Sequence, residues 1–492
     1  MAQLIVEPCS RGVIDTQPSP QELGQETPPG RRRMVLAACV LASSMAFIDG
    51  SALTVALPRL RADFGADLAA VQWVLNGYVL ALASLTLIGG ALADVYGKAR
   101  MLDLGCMMFG LASAACALAP SPTWLIAARV LQGAAAAIVT PASLALIGAT
   151  YPRAERSRAI GIWAAASALT TAGGPVLGGW LTETFGWSSV FWINPPIALL
   201  AVGILVRSAP GDRREQRQFD IIGAIILAAA LGMLAWALSQ IGAGGPQAGP
   251  DTAAGSGTSL MVVLGAGIGV AGLAAYAGWE RRSTHPMTPP RLMEKRVFLG
   301  LNVATLLVYA ALSIMFFLMP FELVDRRGLP STDAGLAFLP FSLGVGLLSK
   351  VFGSLADKVG TRAMLVAGPV GAAFAYVWMA LGDEASFTLG VLGPMALLGL
   401  SFAVLVAPLT ASVMSSVEET DEGLASGINN AASRIAQLAG VALAAGVAPF
   451  AGGYQVGLCV AATASIGGAL AAGVTLASPG RPQEARQPDH PD

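Results

Sequence analysis

Charged side chains are scarce in this chain, at 12% of 492 residues, and histidine is almost absent, at two. A water-soluble domain of this length needs far more charge to cover its surface. The net charge of −1 carries no basic excess and excludes a polyanion-binding protein of the nucleic-acid type. Five cysteines, Cys9, Cys39, Cys106, Cys116 and Cys459, show no metal-ligand spacing, and four lie in apolar runs, where they read as small core residues. His285 and His490 fall outside the apolar runs, which excludes a histidine proton relay inside a membrane and leaves no metal site. No Gly-x4-Gly-Lys-Ser/Thr phosphate loop is present, so no ATP site is expected.

What the chain has is hydrophobicity, 55% of residues, arranged in runs near the ~20 residues that cross a bilayer as helix. Fourteen runs can be drawn: 34–57, 71–92, 101–119, 123–147, 159–181, 188–207, 220–241, 258–279, 297–321, 333–355, 363–381, 387–412, 424–449 and 452–475. Only helices suit them, because lipid offers backbone groups no partner. The expected fold class is an all-α polytopic membrane protein. Residues 1–33, polar and rich in Pro, Gln and Glu, read as a disordered tail, and 477–492 as a second one. Arg31, Arg32 and Arg33 before the first run mimic a secretory leader, but the run is too long and lacks a cleavage site, so it reads as an uncleaved span.

Basic residues orient the chain. With the N-terminus inside, the outer loops hold only Arg59, Arg61, Arg326 and Arg327, while Lys98, Arg100, Arg156, Arg213, Arg281, Arg296, Lys358, Arg362 and others fall inside. Both termini are then cytoplasmic. Deleting one of the two central runs would put half of these loops on the wrong side, whereas deleting both would leave twelve spans in the same orientation.

A repeat follows. Gly90-Ala-Leu-Ala-Asp94-Val-Tyr-Gly97-Lys98-Ala-Arg100-Met-Leu102 stands after the second run, and Gly353-Ser-Leu-Ala-Asp357-Lys-Val-Gly360-Thr-Arg362-Ala-Met-Leu365 after the tenth. A six-helix unit is duplicated (34–207 and 297–476), with two helices and their linkers inserted at 208–296. Parallel halves of this kind place a transport site between them, near mid-membrane.

These features resemble the major facilitator superfamily, and its fourteen-helix drug/proton antiporter branch in particular. Besides the duplicated loop, the resemblance rests on Ile48-Asp49-Gly-Ser-Ala-Leu-Thr-Val-Ala-Leu-Pro58, Arg129-Val-Leu-Gln132-Gly133, Gly174-Pro175-Val-Leu-Gly178-Gly179, Phe219-Asp220 and Ser426-Gly427-Ile-Asn429-Asn430. Ser51 and Thr54 stand where the family usually has Thr and Asn. Trp187-Ser188-Ser189 replaces a Trp-Arg-Trp run, and Glu322 stands where Gln is usual. The resemblance implies two six-helix bundles plus two inserted helices, alternating access, and proton-driven export of drugs, antibiotics or metabolites without a cofactor. The alternatives are a proton-coupled importer or specific carrier of the same fold and, more remotely, a membrane sensor or enzyme. A bacterial inner membrane and a monomer are expected; the partners are a small molecule, protons and lipid.

Individual residues add chemistry. Asp49 and Arg129 lie at matching depth, roughly 10 Å below the outer boundary at ~1.5 Å per residue. Each is costly in lipid, so both should face inward. They are the candidate proton switch, or else a pair that only positions two helices. Asn76, Tyr78 and Gln132 lie at similar depth, as cavity lining or as interhelical hydrogen bonders. Arg434 lies near mid-membrane with no acid at its level. It reads as a polar anchor, with Asn429, Asn430, backbone or water as its partner, or as a contact for an anionic substrate group. Glu322 and Asn430 complete the candidate substrate residues. Gly90, Asp94, Gly97, Lys98 and Arg100, with Gly353, Asp357, Gly360 and Arg362, are candidate gates or plain turns. Gly174, Pro175, Gly178 and Gly179 imply a bend that prevents leak, although close packing explains the glycines as well. Trp73, Trp124, Trp187 and Trp279 read as interface anchors.

Overall fold

The computed structural model describes residues 28–209, 220–243, 254–283, 290–382, 386–418, 422–448 and 452–476. The described residues form helices α1 (Pro29–Phe64), α2 (Leu68–Tyr96), α3 (Lys98–Ala117), α4 (Pro122–Thr150), α5 (Arg153–Phe185), α6 (Ser189–Trp192), α7 (Asn194–Ser208), α8 (Ile221–Ala243), α9 (Ala254–Glu280), α10 (Pro290–Met293), α11 (Arg296–Phe321), α12 (Ser331–Leu336), α13 (Leu339–Val359), α14 (Thr361–Leu381), α15 (Gly393–Ser415), α16 (Glu422–Val447) and α17 (Gly453–Thr475). One π-helical turn, Glu322–Arg326, prolongs α11, and another, Thr388–Leu392, precedes α15. Taking α6 with α7 and α12 with α13 as single rods, and leaving out the four-residue α10, gives fourteen rods. Among the described residues, eleven stretches are long and apolar enough to cross a membrane by length and composition. The rods outside that criterion are α5, α8 and α16. Of these, α5 and α16 turn Ser167, Thr171, Arg434 and Gln437 toward the centre of the molecule.

Local chemistry sets the ends. Pro29 sits in the first turn of α1, where its missing N–H costs nothing. Asp67 caps α2 by accepting from Ala70 N at 2.7 Å, and Ser121 caps α4 by accepting from Trp124 N at 3.3 Å. The helical ends differ from the runs read in the sequence. The first helix begins at 29 and continues to 64, and the fifth runs 153–185, because charged and polar residues at the rim extend a helix beyond its apolar stretch. The expectations for residues 1–27 and 477–492 lie outside the described residues.

The duplication is visible in packing. In the N-terminal half α1 packs on α5, α2 on α4 and α3 on α7. In the C-terminal half α11 packs on α16, α13 on α15 and α14 on α17. Pro58 and Pro320 interrupt the first helix of each half, and Pro141 and Pro408 the fourth. Gly97 and Gly360 join successive helices at φ of 107° and 94°, a backbone that disfavours any side chain. The halves meet where α5 crosses α12 and α13, where α2 meets α16, and where α1 meets α11. The inserted α8 and α9 pack on each other, and α8 touches both α2 and α16. Exposed residues such as Leu111, Leu169, Val206 and Leu381 give the rods an apolar exterior suited to lipid.

Candidate functional site

The chemistry starts from α1. Asp49 is fully buried, and its carboxylate accepts from the fully buried Arg129 guanidinium of α4 through Nη1. The second carboxylate oxygen accepts from Gln132 Nε2 at 2.8 Å and from Asn194 Nδ2 at 3.1 Å. Gln132 bridges the pair, because its Oε1 accepts from Arg129 Nη1 at 2.7 Å and from Cys116 Sγ at 3.5 Å. Arg129 Nε donates to the Val74 carbonyl of α2 at 3.1 Å. Each of these contacts donates to Asp49, so its side chain serves as acceptor throughout.

Position along each helix explains the convergence. Arg129 and Gln132 are three residues apart and therefore share one face of α4. Asn194 arrives from a break. Pro195 and Pro196 have no N–H to continue a helix, so the sixth rod splits into α6 and α7, and Asn194 opens α7 beside α1. Ser113 Oγ, 2.9 Å from Asn194 Nδ2 and donating to the Phe191 carbonyl at 2.9 Å, holds that amide in place. The sequence reading missed Asn194 and Ser113. An Asn-Pro-Pro step inside an apolar run was the available signal.

A cavity of ≈ 530 Å³ lies beside this pair, lined by α1, α2, α4 and α5 from one half and α11, α13, α15 and α16 from the other. Tyr78 is the wall between the two. Its ring lies 4.2 Å from the Arg129 guanidinium, its hydroxyl donates to the Ala46 carbonyl at 3.2 Å, and it lines the cavity. Arg434 and Gln437 enter from the opposite half, linked by a hydrogen bond from Arg434 Nη1 to Gln437 Oε1 at 3.1 Å.

One end of the molecule, where α1 finishes at Gly65, is tied across the halves. Arg61 pairs with Asp325 at 3.5 Å, and Glu183 accepts from Ser331 N at 2.9 Å. The Gly174–Gly179 segment makes this closure possible. A Cβ at Gly174 would collide with Ser51 Oγ, and one at Gly178 with the Ala52 carbonyl, both on α1. One at Gly179 would collide with the Ser331 carbonyl of α12, across the half interface. Gly335 of α12 in turn sits against the Pro175 carbonyl. The segment therefore brings three helices into backbone contact.

The remaining sequence candidates are dispersed. Gln132 belongs to the ion-pair network and does not line the cavity. Asn76 is buried with neither amide atom bonded, and it too lies off the cavity wall. Glu322 is held by Arg326 at 2.6 Å and Arg327 at 2.9 Å near the Gly65 end, away from the cavity. Asn430 is exposed, with its carbonyl accepting from Ser433. Arg434 bonds to Gln437 and to neither Asn429 nor Asn430, two of the partners named for it from the sequence. Asn429 is engaged with Asn302 at 3.2 Å and Thr305 at 2.8 Å, fastening α16 to α11. In the duplicated loops, Gly90 and Gly353 face Pro141 of α4 and Ala407 of α15, the matching helices of the two halves. Lys98 and Arg100 open α3, and Arg362 Nε donates to the Gly473 carbonyl at 3.1 Å. The side chains of Asp94 and Asp357 lie outside the described set. Of the tryptophans, Trp187 is half-buried against protein rings. It packs between Phe64 and Phe191, at 5.2 Å and 6.2 Å.

The family profile described as Major Facilitator Superfamily matches residues 39–288 and 301–492. The chain is 33% identical over 413 residues to the multidrug resistance protein Stp of Mycobacterium tuberculosis, covering 83% of this chain and 74% of that protein. It is 34% identical to the cephamycin export protein CmcT of Amycolatopsis lactamdurans, with 82% and 83% covered. It is 31% identical to the lincomycin resistance protein of Streptomyces lincolnensis, with 82% of each covered. Among solved structures, the peptide transporter POT in complex with sulfate aligns at a TM-score of 0.65 and 14% identity, over 90% of this chain and 94% of that one. A bacterial homologue of the lysosomal transporter Spinster, inward-facing and unoccupied, aligns at 0.62 and 18%, over 91% and 96%. Both likenesses are of fold.

Proposed function

Because the chain belongs to the major facilitator superfamily, we propose that it exports small amphipathic molecules from a bacterial cell in exchange for protons, by alternating access. The observation that carries the reading is the buried Asp49–Arg129 pair, separated from a cavity between the halves by one tyrosine ring. Protonating Asp49 would remove the negative charge that faces Arg129 and place an O–H among the donors of Arg129, Gln132 and Asn194, which loosens the hold of the carboxyl on that set. Arg129 lies on Tyr78, and Tyr78 walls the cavity, so a change at the proton site is felt where substrate sits.

The Gly65 end is the outer side in this reading, which follows the placement of basic residues, and the inner membrane with both termini cytoplasmic goes with it. The structure is closed at that end through Gly179, Gly335, Arg61 and Asp325. The two loops at 90–102 and 353–365 are the gate at the other end, where twin positive-φ glycines give both halves the same hinge geometry. Asp94, Lys98, Arg100, Asp357 and Arg362 are its charged members. The two bundles at 34–207 and 297–476 rock about the cavity, with 208–296 as an accessory hairpin. The proton gradient is the energy source, with no cofactor or nucleotide required, and a monomer holds a complete pathway.

The test is expression in a drug-sensitive bacterial host with a panel that includes the lincosamide and cephamycin compounds suggested by the relatives' names. It is joined to flux measurements in proteoliposomes carrying an imposed pH gradient. Raised tolerance to some panel members, with flux that collapses when a protonophore is added, is expected. Unchanged tolerance to the whole panel together with no gradient-driven flux would overturn the reading.

A further inference from the structure

We propose that the central cavity is built for an organic anion with a planar aromatic body, with Arg434 as its counter-ion; this rests on the export reading above and names its substrate class. None of the described residues lining the cavity is Asp or Glu, and Arg434 is its one charged lining residue. Asp49 contributes no free charge to it, being fully buried behind Tyr78 and paired with Arg129. The cavity is therefore net positive, which disfavours a cationic ligand.

Arg434 is placed to receive a ligand. A guanidinium carries five N–H donors. Among the described residues it has one protein acceptor, Gln437 Oε1 on its own helix. That bond aims the planar fork and leaves the other donors for a carboxylate, which a guanidinium binds through two parallel hydrogen bonds. Asn429, five residues earlier, fixes α16 to Asn302 and Thr305 of α11, so the cation is carried on a fastened helix.

The apolar half of the ligand has its own wall. Phe316, Phe341, Phe402 and Tyr309 line the cavity as a chain of edge-to-face rings, with centroids 5.4 Å, 5.6 Å and 6.2 Å apart in that order. Such a wall accepts a flat aromatic face. A fixed cation beside an aromatic wall, without an acid in reach, specifies an aryl carboxylate or a comparable anionic aromatic metabolite.

The experiment uses the purified full-length protein in nanodiscs and three probes of one skeleton: 1-naphthaleneacetate, its methyl ester and 1-naphthylmethylammonium, with binding measured by calorimetry. The acid is expected to bind about tenfold or more tighter than the ester, since a hydrogen bond to a charged group is worth that much, and the ammonium probe weakest. Arg434→Gln should remove the acid's advantage and leave the ester unchanged, the ester serving as the check on folding. Arg434→Lys should retain part of the advantage. Equal binding of acid and ester, an acid affinity indifferent to Arg434→Gln, or preference for the ammonium probe would each overturn the proposal. If Arg434→Gln does not fold, the wild-type ranking of the three probes decides alone. Flux of the bound probe under a pH gradient separates the two readings. An ammonium probe that binds best and is exported leaves export standing and removes this site. An acid that binds through Arg434 but is never moved supports the site and removes export.

Discussion

Replacing Asp49 by Asn separates a coupling role for the buried pair from a structural one. The substitution keeps size and removes charge. The carboxylate accepts from Arg129, Gln132 and Asn194 at once. An Asn amide has one oxygen for these donors, and its NH₂ must face at least one of them. Arg129, with no exposed surface, is left without a counter-charge. Removing one member of a buried ion pair costs about 3–5 kcal/mol because the other charge stays buried without compensation, and removing the second charge as well lifts that part of the cost. Asp49→Asn should therefore lower the midpoint of thermal unfolding in detergent well below wild type. The double variant Asp49→Asn with Arg129→Gln should recover most of that loss. Efflux driven by a pH gradient in proteoliposomes is the second readout, expected to be absent in both. A pair that merely holds α1 to α4 would regain transport along with stability in the double variant. Gradient-driven efflux by either variant at wild-type rate would refute the coupling argument.

Two further outcomes follow from the same geometry. Gly178→Val would push a side chain into the Ala52 carbonyl, and Gly179→Val into Ser331. Overpacking of this kind costs about 1–3 kcal/mol, and at Gly179 that cost falls only on the state closed at the Gly65 end. Gly179→Val should thus cut transport by tenfold or more with little loss of folded protein, while Gly178→Val should lower both. Equal transport by Gly179→Val and wild type would remove the segment from the gate. At the base of the accessory hairpin, burial alone would raise the Asp220 carboxyl. Hydrogen bonds from Gly223 N at 2.8 Å, Trp279 Nε1 at 2.7 Å and Ser283 Oγ at 3.2 Å outweigh it and hold the group below its ordinary value of 3.8. A depressed value adds stability above the ordinary value, and that stability is lost as pH falls through the lower folded one. Asp220→Asn should unfold at a slightly lower temperature than wild type at pH 7, with the gap closing in strong acid. A gap that does not change with pH would show that the carboxylate's charge plays no part.

The fourteen rods were legible because lipid leaves a backbone no alternative to helix, so run length and charge carry the signal. The Asp49–Arg129 meeting was legible for a related reason. Depth follows from residue count along a rod, and two charges at one depth have strong cause to find each other. Gln132 shows the limit of that reasoning. Its depth was read correctly, but depth does not give rotation about the helix axis, and rotation put it into the ion pair and not into the cavity. Asn76 and Asn430 differ from expectation for the same reason. Asn194 was missed because its position depends on where two prolines break a rod.

By itself the sequence determined the helices, their order, the duplication and which few residues carry charge within the membrane, since each of these depends on local composition or spacing. Only the tertiary structure decided which faces meet. Gly174 and Gly178 turn to α1 while Gly179 reaches the other half. Tyr78 stands between the Asp49–Arg129 pair and a cavity, and Arg434 shares that cavity with an aromatic wall from helices far away in the chain. Such contacts are set by how rigid helices rotate and cross when small residues let their backbones approach, which no single stretch of sequence encodes.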